Sequence, residues 1–494
     1  MQRPHRSRFR LSAAIALGVA SFGAIAFAGV SAASGARPHA ASTGDLTTYD
    51  YSNARFGVDT VDPAIHHVAS SATWNDALDG SVFGQPLVYD GYVYVGTEND
   101  TVYAISAKTG AVAWHTHVGN AAPLSVVDSA PTLGGGCGDI DPLGITGTPV
   151  INTANNQLFV AEETLVGGST WQDVRHRLVD VSLSTHRELW YRSIDPPDGN
   201  QPSHYYIAAE QQRPGLTLLD GRVYVEYGGL NGDCGQYHGY VVSVPDIGIG
   251  ALTSYQVASQ REAGIWGAGG AVVSPKGNLY VTTGNGASNS LAHYDEGNSI
   301  IELSPKLKRL GYWAPSNWVA LNDGDWDLGS ASPIDVPLTS LIFAAGKPAQ
   351  NDTPGYVLGD KLAGIGKGAY TGSLCPGGGV FGADAADALA KAIYVFAPCG
   401  SGTEGVIVHT KAPISWRRAW SASTGSPNGP PIVAGGLVWA LNWNGGGLFG
   451  MAPTTGTVLF QRSTAGLNHF ATPGAGDGML VVPTRAGVEA FSTS

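Results

Sequence analysis

The chain has 494 residues, room for two or three ordinary domains, and 43% of them are hydrophobic, as in globular proteins. Only 13% are charged, 69 are glycine, and the net charge of −12 argues against nucleic acid as a partner. Glycine-rich, charge-poor sequence with many Val, Tyr and Trp is what tight turns between short strands produce.

The first 32 residues read as a targeting segment. Arg3, Arg6, Arg8 and Arg10 form a basic start, Leu11 to Gly29 is an uncharged apolar run, and Val30-Ser31-Ala32 supplies small residues for cleavage. The reading is a cleaved signal peptide, residues 1–32, and a secreted or cell-envelope protein. The run is also about long enough to cross a bilayer, so an uncleaved anchor is the alternative. No later segment is apolar enough to span a membrane. Residues 33–47, rich in Ala, Ser, Gly and Thr, read as a disordered linker.

Pro86 to Trp114 then reads as three short strands. Asn99-Asp100 forms the first turn and Lys108-Thr-Gly110 the second. The unit recurs to the C-terminus, and a strand-built repeat of this size points to a β-propeller. One strand per blade is marked at residues 91–95, 156–160, 220–225, 276–281, 341–345, 393–395, 436–439 and 477–482. Inner strands are expected to open at Pro86, Pro149, Pro214, Gly269, Pro333, Gly378, Pro431 and Pro473. Outer strands are expected to end at Trp114, Trp190, Trp420 and Phe460. The fold class is therefore all-β: one eight-bladed propeller over residues 48–494, with four-stranded antiparallel blades.

After Phe491 the last blade lacks its fourth strand, while Val68 to Trp74 is a spare strand of the outer type. Pairing the two would close the ring and remove its open edges. Residues 120–143, 195–212, 286–297 and 309–328 exceed hairpin needs, and long loops on a rigid scaffold are where binding resides.

Cys137, Cys234, Cys375 and Cys399 allow three pairings in an exported protein. Cys375 and Cys399 fall on what reads as neighbouring strands of one blade, which predicts a bridge between them. No Cys-x-x-Cys spacing points to zinc or a covalently attached haem.

The repeats resemble the PQQ-like (quinoprotein alcohol dehydrogenase-like) β-propellers from about Thr47 to Ser494, beginning with the opening segment Thr48-Tyr-Asp-Tyr-Ser-Asn-Ala-Arg-Phe56. Thr283-Gly-Asn-Gly286 is similar to that family's Gly-Asn turn, whose Asn binds Ca²⁺ beside the quinone. Trp313-Ala-Pro315 and Asp325-Trp-Asp327 are similar to the segment carrying its catalytic Asp. The resemblance thus implies Asn285 and Asp327, 42 residues apart, as metal ligands, and Asp327 as catalytic carboxylate. Trp266, in Gly264-Ile-Trp-Gly267, is implied as the floor of the cofactor site.

The chain departs from that pattern at two places. In Asn231-Gly-Asp-Cys-Gly-Gln-Tyr-His-Gly239, Cys234 stands where the family has a Glu metal ligand, leaving Asp233 beside it as cofactor-site candidate. The family's adjacent Cys pair is missing, and Gly136-Cys-Gly-Asp-Ile-Asp-Pro142 offers Cys137 alone. By resemblance Cys137 and Cys234 both map to the axial site, which implies a bridge between them. His238 reads as a strand-start histidine rather than a metal ligand, and Trp313, Trp318 and Trp326 are candidates, with Trp266, to line the funnel.

The expected function is an exported, monomeric propeller whose axial funnel binds a small molecule or protein partner, with no cofactor required. A PQQ- and Ca²⁺-dependent alcohol or sugar dehydrogenase is the alternative, and a cell-envelope scaffold or assembly factor a third.

Overall fold

A computed structural model describes residues 44–197, 207–350, 352–389, 391–425 and 428–494. The basic and apolar N-terminal stretch and most of the 33–47 linker lie outside the described residues. Residues His39–Ser494 make one unit.

Eight antiparallel sheets form eight blades, seven of them in sequence order from axis to rim and the eighth with an N-terminal strand outermost. Blade 1 shows the plan: Leu87–Tyr89 innermost, then Tyr92–Gly96, Thr101–Ser106 and Val112–His117. Blade 3 carries one extra short strand, Glu210–Gln211, paired to Arg222–Gly229. The eight strands marked in the sequence are the second strands of the eight blades.

Second and third strands are buried on both faces because each blade is packed between two others. Outer strands alternate instead, as in Val112–His117, where one face meets solvent. The blade interfaces are apolar. One cluster joins Val481 and Val488 of blade 8 to Val93 and Val95 of blade 1 and Leu158 and Val160 of blade 2.

A tryptophan in the outer strand of one blade packs on a turn of the next. Trp74 lies on Gly110, Trp190 on Gly248 and Trp420 on Gly456. Each glycine has positive φ, and a Cβ on Gly110 or Gly248 would stand 2.7 or 2.6 Å from the indole. At Trp114 the partner is His186, stacked at 5.0 Å, in place of glycine. Trp114, Trp190 and Trp420 sit within their strands rather than at the ends, while Trp74 opens its strand.

The ring closes with Trp74–Ala77, which pairs with Gly487–Ala490 as fourth strand of blade 8. The spare strand begins where the sequence reading ends it. Val68 makes only a single bridge, to Thr493, and the continuous ladder starts at Trp74.

The segment ahead of it threads the base of the ring. Leu46 pairs with Val88 of blade 1, and the Thr47 carbonyl accepts from Ile151 of blade 2. Arg55, 1% exposed, donates to Leu216 and Thr217 of blade 3. Asn53, Phe56 and Gly57 carbonyls accept from Val273, Ala386 and Val433 in blades 4, 6 and 7. The Tyr51 hydroxyl reaches Ala475 of blade 8. Positive φ at Asp50, Tyr51 and Arg55 lets the chain coil this tightly.

Three sequence expectations change. The inner strand of blade 6 opens at Ala385, not Gly378, because the chain first crosses from Cys375 through a glycine turn. Residues 309–313 of the supposed 309–328 insertion are the outer strand of blade 4, followed by a short helix, Trp318–Asp323. Cys375 and Cys399 are bonded, with Cα atoms 5.4 Å apart, but not within one blade. Cys375 lies on the outer strand of blade 5 and Cys399 on the second strand of blade 6, so the bridge staples two blades.

Replacing Trp74 by Ala should destabilise the whole domain by about 3–5 kcal/mol, read by urea unfolding. Its indole Nε1 donates to the Ala107 carbonyl across the closing interface at 2.8 Å, and an unchanged midpoint would refute closure as a stabilising element.

Asp384, 1% exposed and with neither oxygen hydrogen-bonded, has its pKa pushed up to about 8 by burial. The unfolded chain releases this proton near pH 4 and the folded one near pH 8. Stability should therefore fall as pH rises through that window. Asp384→Asn should flatten that part of the stability–pH profile in denaturant titrations.

Candidate functional site: the axial funnel

One mouth of the ring holds a cavity of about 680 Å³. Its walls come from two kinds of connection. The links from one blade's outer strand to the next blade's inner strand supply Arg213, Trp266, Asp325, Asp327, Phe381, His469 and Phe470. The links after second strands supply Leu230 to Asp233, Tyr237, Lys347 and Trp443. Arg213, Phe381 and Phe470 each stand four residues before an inner strand, so the repeat delivers them to the same height on the axis.

Below, Tyr49 closes the funnel. Its hydroxyl meets Thr472 Oγ1 at 3.0 Å, and the gap it shares with Arg213, His469 and Phe470 is about 10 Å³, room for no more than a water. The funnel is a dead end, floored by the threaded N-terminal segment.

The polar centre is Asp327, whose side chain is 3% exposed. Oδ1 accepts the Asn285 backbone N–H at 2.5 Å, and Oδ2 faces Lys347 Nζ at 2.8 Å. Lys347 Nζ also donates to Asp325 Oδ1 at 2.6 Å and lies 5.6 Å from the centre of the Trp266 ring. Burial raises the Asp327 pKa, partly offset by Lys347. Burial works against the Lys347 charge, but Asp327 and Asp325 outweigh it and raise its pKa. Lys347 is thus held charged, and its ammonium limits the rise at Asp327.

Asn285 Nδ2 reaches Asp233 Oδ2 at 3.5 Å, and Asp233 Oδ1 accepts the Tyr237 hydroxyl at 2.5 Å. Cys234, next to Asp233, is bonded to Cys137, with Cα atoms 6.3 Å apart; this bridge ties the 120–143 loop to the funnel wall. Phe381 and Phe470 stack at 5.3 Å and 7°, and both lean on Trp266. Arg213 lies 5.2 Å from the Phe470 ring centre and 4.0 Å from Asp139. Burial, with Arg213 and Arg485 nearby, lowers the His469 pKa to about 2, so this imidazole is neutral.

The structure thus gathers Asp233, Trp266, Asn285 and Asp327 at one mouth, with the Cys137–Cys234 bridge beside them. It does not bring the other tryptophans there. Trp313 and Trp318 are fully buried, and Trp326 packs on Gly324. His238 is 4% exposed, bonded through its backbone N–H to Glu210 and edge-on to Tyr240, away from the funnel lining. Sequence reading missed Lys347, Arg213, Phe381, Trp443, His469 and Phe470. The repeat register held the signal: Lys347 and Trp443 follow their second strands within two residues, as Asn285 follows its own by three.

A Ca²⁺ ion, implied by the sequence resemblance, does not fit these residues. One Asp327 oxygen is engaged by a backbone N–H and the other by an ammonium. The Asn285 backbone carbonyl accepts from Ala263 N–H at 2.7 Å, and its side-chain Nδ2 points to Asp233. Among the described residues no three His, Cys, Asp or Glu side chains gather as a metal-ligand group.

Comparison with known proteins agrees with the architecture. The family model described as outer membrane protein assembly factor BamB matches residues 64–299. The chain has the PQQ-like β-propeller fold. A quinohemoprotein alcohol dehydrogenase from Pseudomonas putida HK5 superposes with a TM-score of 0.65 at 14% identity, over 91% of this chain and 80% of that one. A europium-containing methanol dehydrogenase gives 0.61 at 13% identity, over 91% and 98%. BamB from Moraxella catarrhalis gives 0.54 at 12% identity, over 87% and 100%. No curated protein sequence matches the chain. At these identities the likeness is one of fold.

Lys347→Met should leave Asp327 buried beside Asp325 without a counter-charge and cost about 3–5 kcal/mol in urea unfolding. Adding Asp327→Asn should recover most of that loss. A single variant as stable as the parent would show that the ion pair does not hold the mouth together.

Proposed function

We propose that this chain is an exported propeller whose axial funnel binds a small organic ligand without calcium–quinone chemistry. The observation that carries the reading is the funnel itself: a blind cavity of about 680 Å³, within the size range of ligand sites, with an aromatic wall and a few convergent polar groups. Export is supported by the two disulfides, which persist in oxidising compartments. The structural neighbours include dehydrogenases of the quinoprotein kind, but here Lys347 already neutralises the carboxylate a metal would need.

Calorimetric titration with PQQ and Ca²⁺ should give no tight uptake, and an artificial dye should not be reduced with an alcohol as donor. Tight PQQ uptake that survives Asp327→Ala, together with dye reduction that the same change abolishes, would establish the dehydrogenase reading instead.

A scaffold reading has its own observation. Leu189 and Tyr191 are 51% and 55% exposed on the outer strand of blade 2, and Arg192 of that strand bonds to the turn that carries Ile247 and Ile249, 63% and 79% exposed. That apolar rim resembles a protein contact more than a solvated edge. Capture of a cell-envelope protein that Tyr191→Asp releases would favour it.

A further inference from the structure

We propose that the axial funnel selects an organic cation, an ammonium group on an apolar body, with Asp233 as its counter-charge. This rests on the reading of the funnel as a ligand site and names the ligand class.

The argument starts from charge. Four carboxylates line the cavity, Asp139, Asp233, Asp325 and Asp327, against two cations, Arg213 and Lys347. His469 adds nothing, because its imidazole is neutral. Arg261 and Glu262, just outside the lining, pair with each other and cancel. By formal charge the lining carries an excess of two negatives, and Arg485, near His469 but outside the lining, offsets only one of them.

The two cations are already committed. Lys347 has two carboxylates and the Trp266 face, and Arg213 has Asp139 and the Phe470 face. Neither is left to meet an anionic ligand. Asp233 is different. Its carboxylate receives only neutral donors, the Tyr237 hydroxyl and the Asn285 amide, and Arg261 binds its backbone carbonyl rather than its side chain.

The same wall shows how an ammonium is held. Lys347 and Arg213 each pair a carboxylate with an aromatic face, and a ring quadrupole attracts cations most where water is excluded. Tyr237 and Trp443 offer further rings to the body of a ligand bound at Asp233. An anion entering this mouth would meet surplus carboxylates in a partly desolvated site, where charge interactions exceed those in water.

The test uses three small probes of similar shape and different charge: choline, its neutral isostere 3,3-dimethyl-1-butanol, and the anion 3,3-dimethylbutanoate. Binding to the mature protein is read by tryptophan fluorescence and calorimetry. Choline should bind at least about tenfold more tightly than the alcohol, and the anion most weakly. Asp233→Asn, which keeps the shape, should remove most of that preference.

Equal or tighter binding of the alcohol or the anion overturns the charge selectivity and leaves the funnel standing as a ligand site. Binding of CaCl₂ that displaces choline would assign the excess charge to a metal and overturn it too. If none of the three probes changes the signal at any soluble concentration, the ligand-site reading fails, and this inference with it.

Discussion

The molecule depends on closing a ring whose two ends are far apart in sequence. Until Trp74–Ala77 pairs with Gly487–Ala490, blade 8 has three strands and the edge of its third strand, Gly487–Ser492, is open. Closure is then reinforced twice. Trp74 keys into the turn of blade 1 at Gly110, and the segment from Leu46 to Asp59 bonds to seven of the eight blades from below. A contact between ends this distant is slow to form, because loop-closure entropy opposes it before other contacts reward it.

The funnel inherits its form from that closure. The threaded segment places Tyr49 on the axis, which turns a through-channel into a blind pocket. The blades then set the walls, since equivalent links in the repeat end at equivalent heights. Within the pocket a lysine is lodged between Asp325 and Asp327 and pairs with both carboxylates. A shared fold with dehydrogenases does not by itself bring a shared reaction, because function resides in side chains grafted onto the blades.

The blades were legible because each needs a second strand buried on both faces, and a run such as Tyr92-Val-Tyr-Val-Gly96, short, rich in Val and Tyr and bounded by turn residues, fits that need. Boundaries were less legible. Blade 6 opened seven residues later than expected, because glycine and proline mark turns without saying which turn begins a blade. Cys375–Cys399 shows the same limit: the sequence brought the two cysteines close in the chain, while the placement of each on its blade decided that they join neighbours.

Resemblance to the PQQ-like propellers pointed to the neighbourhood of Asp233, Trp266, Asn285 and Asp327, while the sequence by itself determined the repeat, the number of blades and the closure of the last blade by an N-terminal segment. Each of these is a local pattern or a pattern repeated at fixed spacing, and strand periodicity and turn chemistry act over a few residues. Only the tertiary structure decided that Lys347 meets Asp327 and that Arg213, Phe381 and Phe470 converge on the axis. It also decided that Tyr49 seals the pocket. Those contacts join residues from different blades, and their geometry exists only after the ring has closed and every connecting link has been carried to the same mouth.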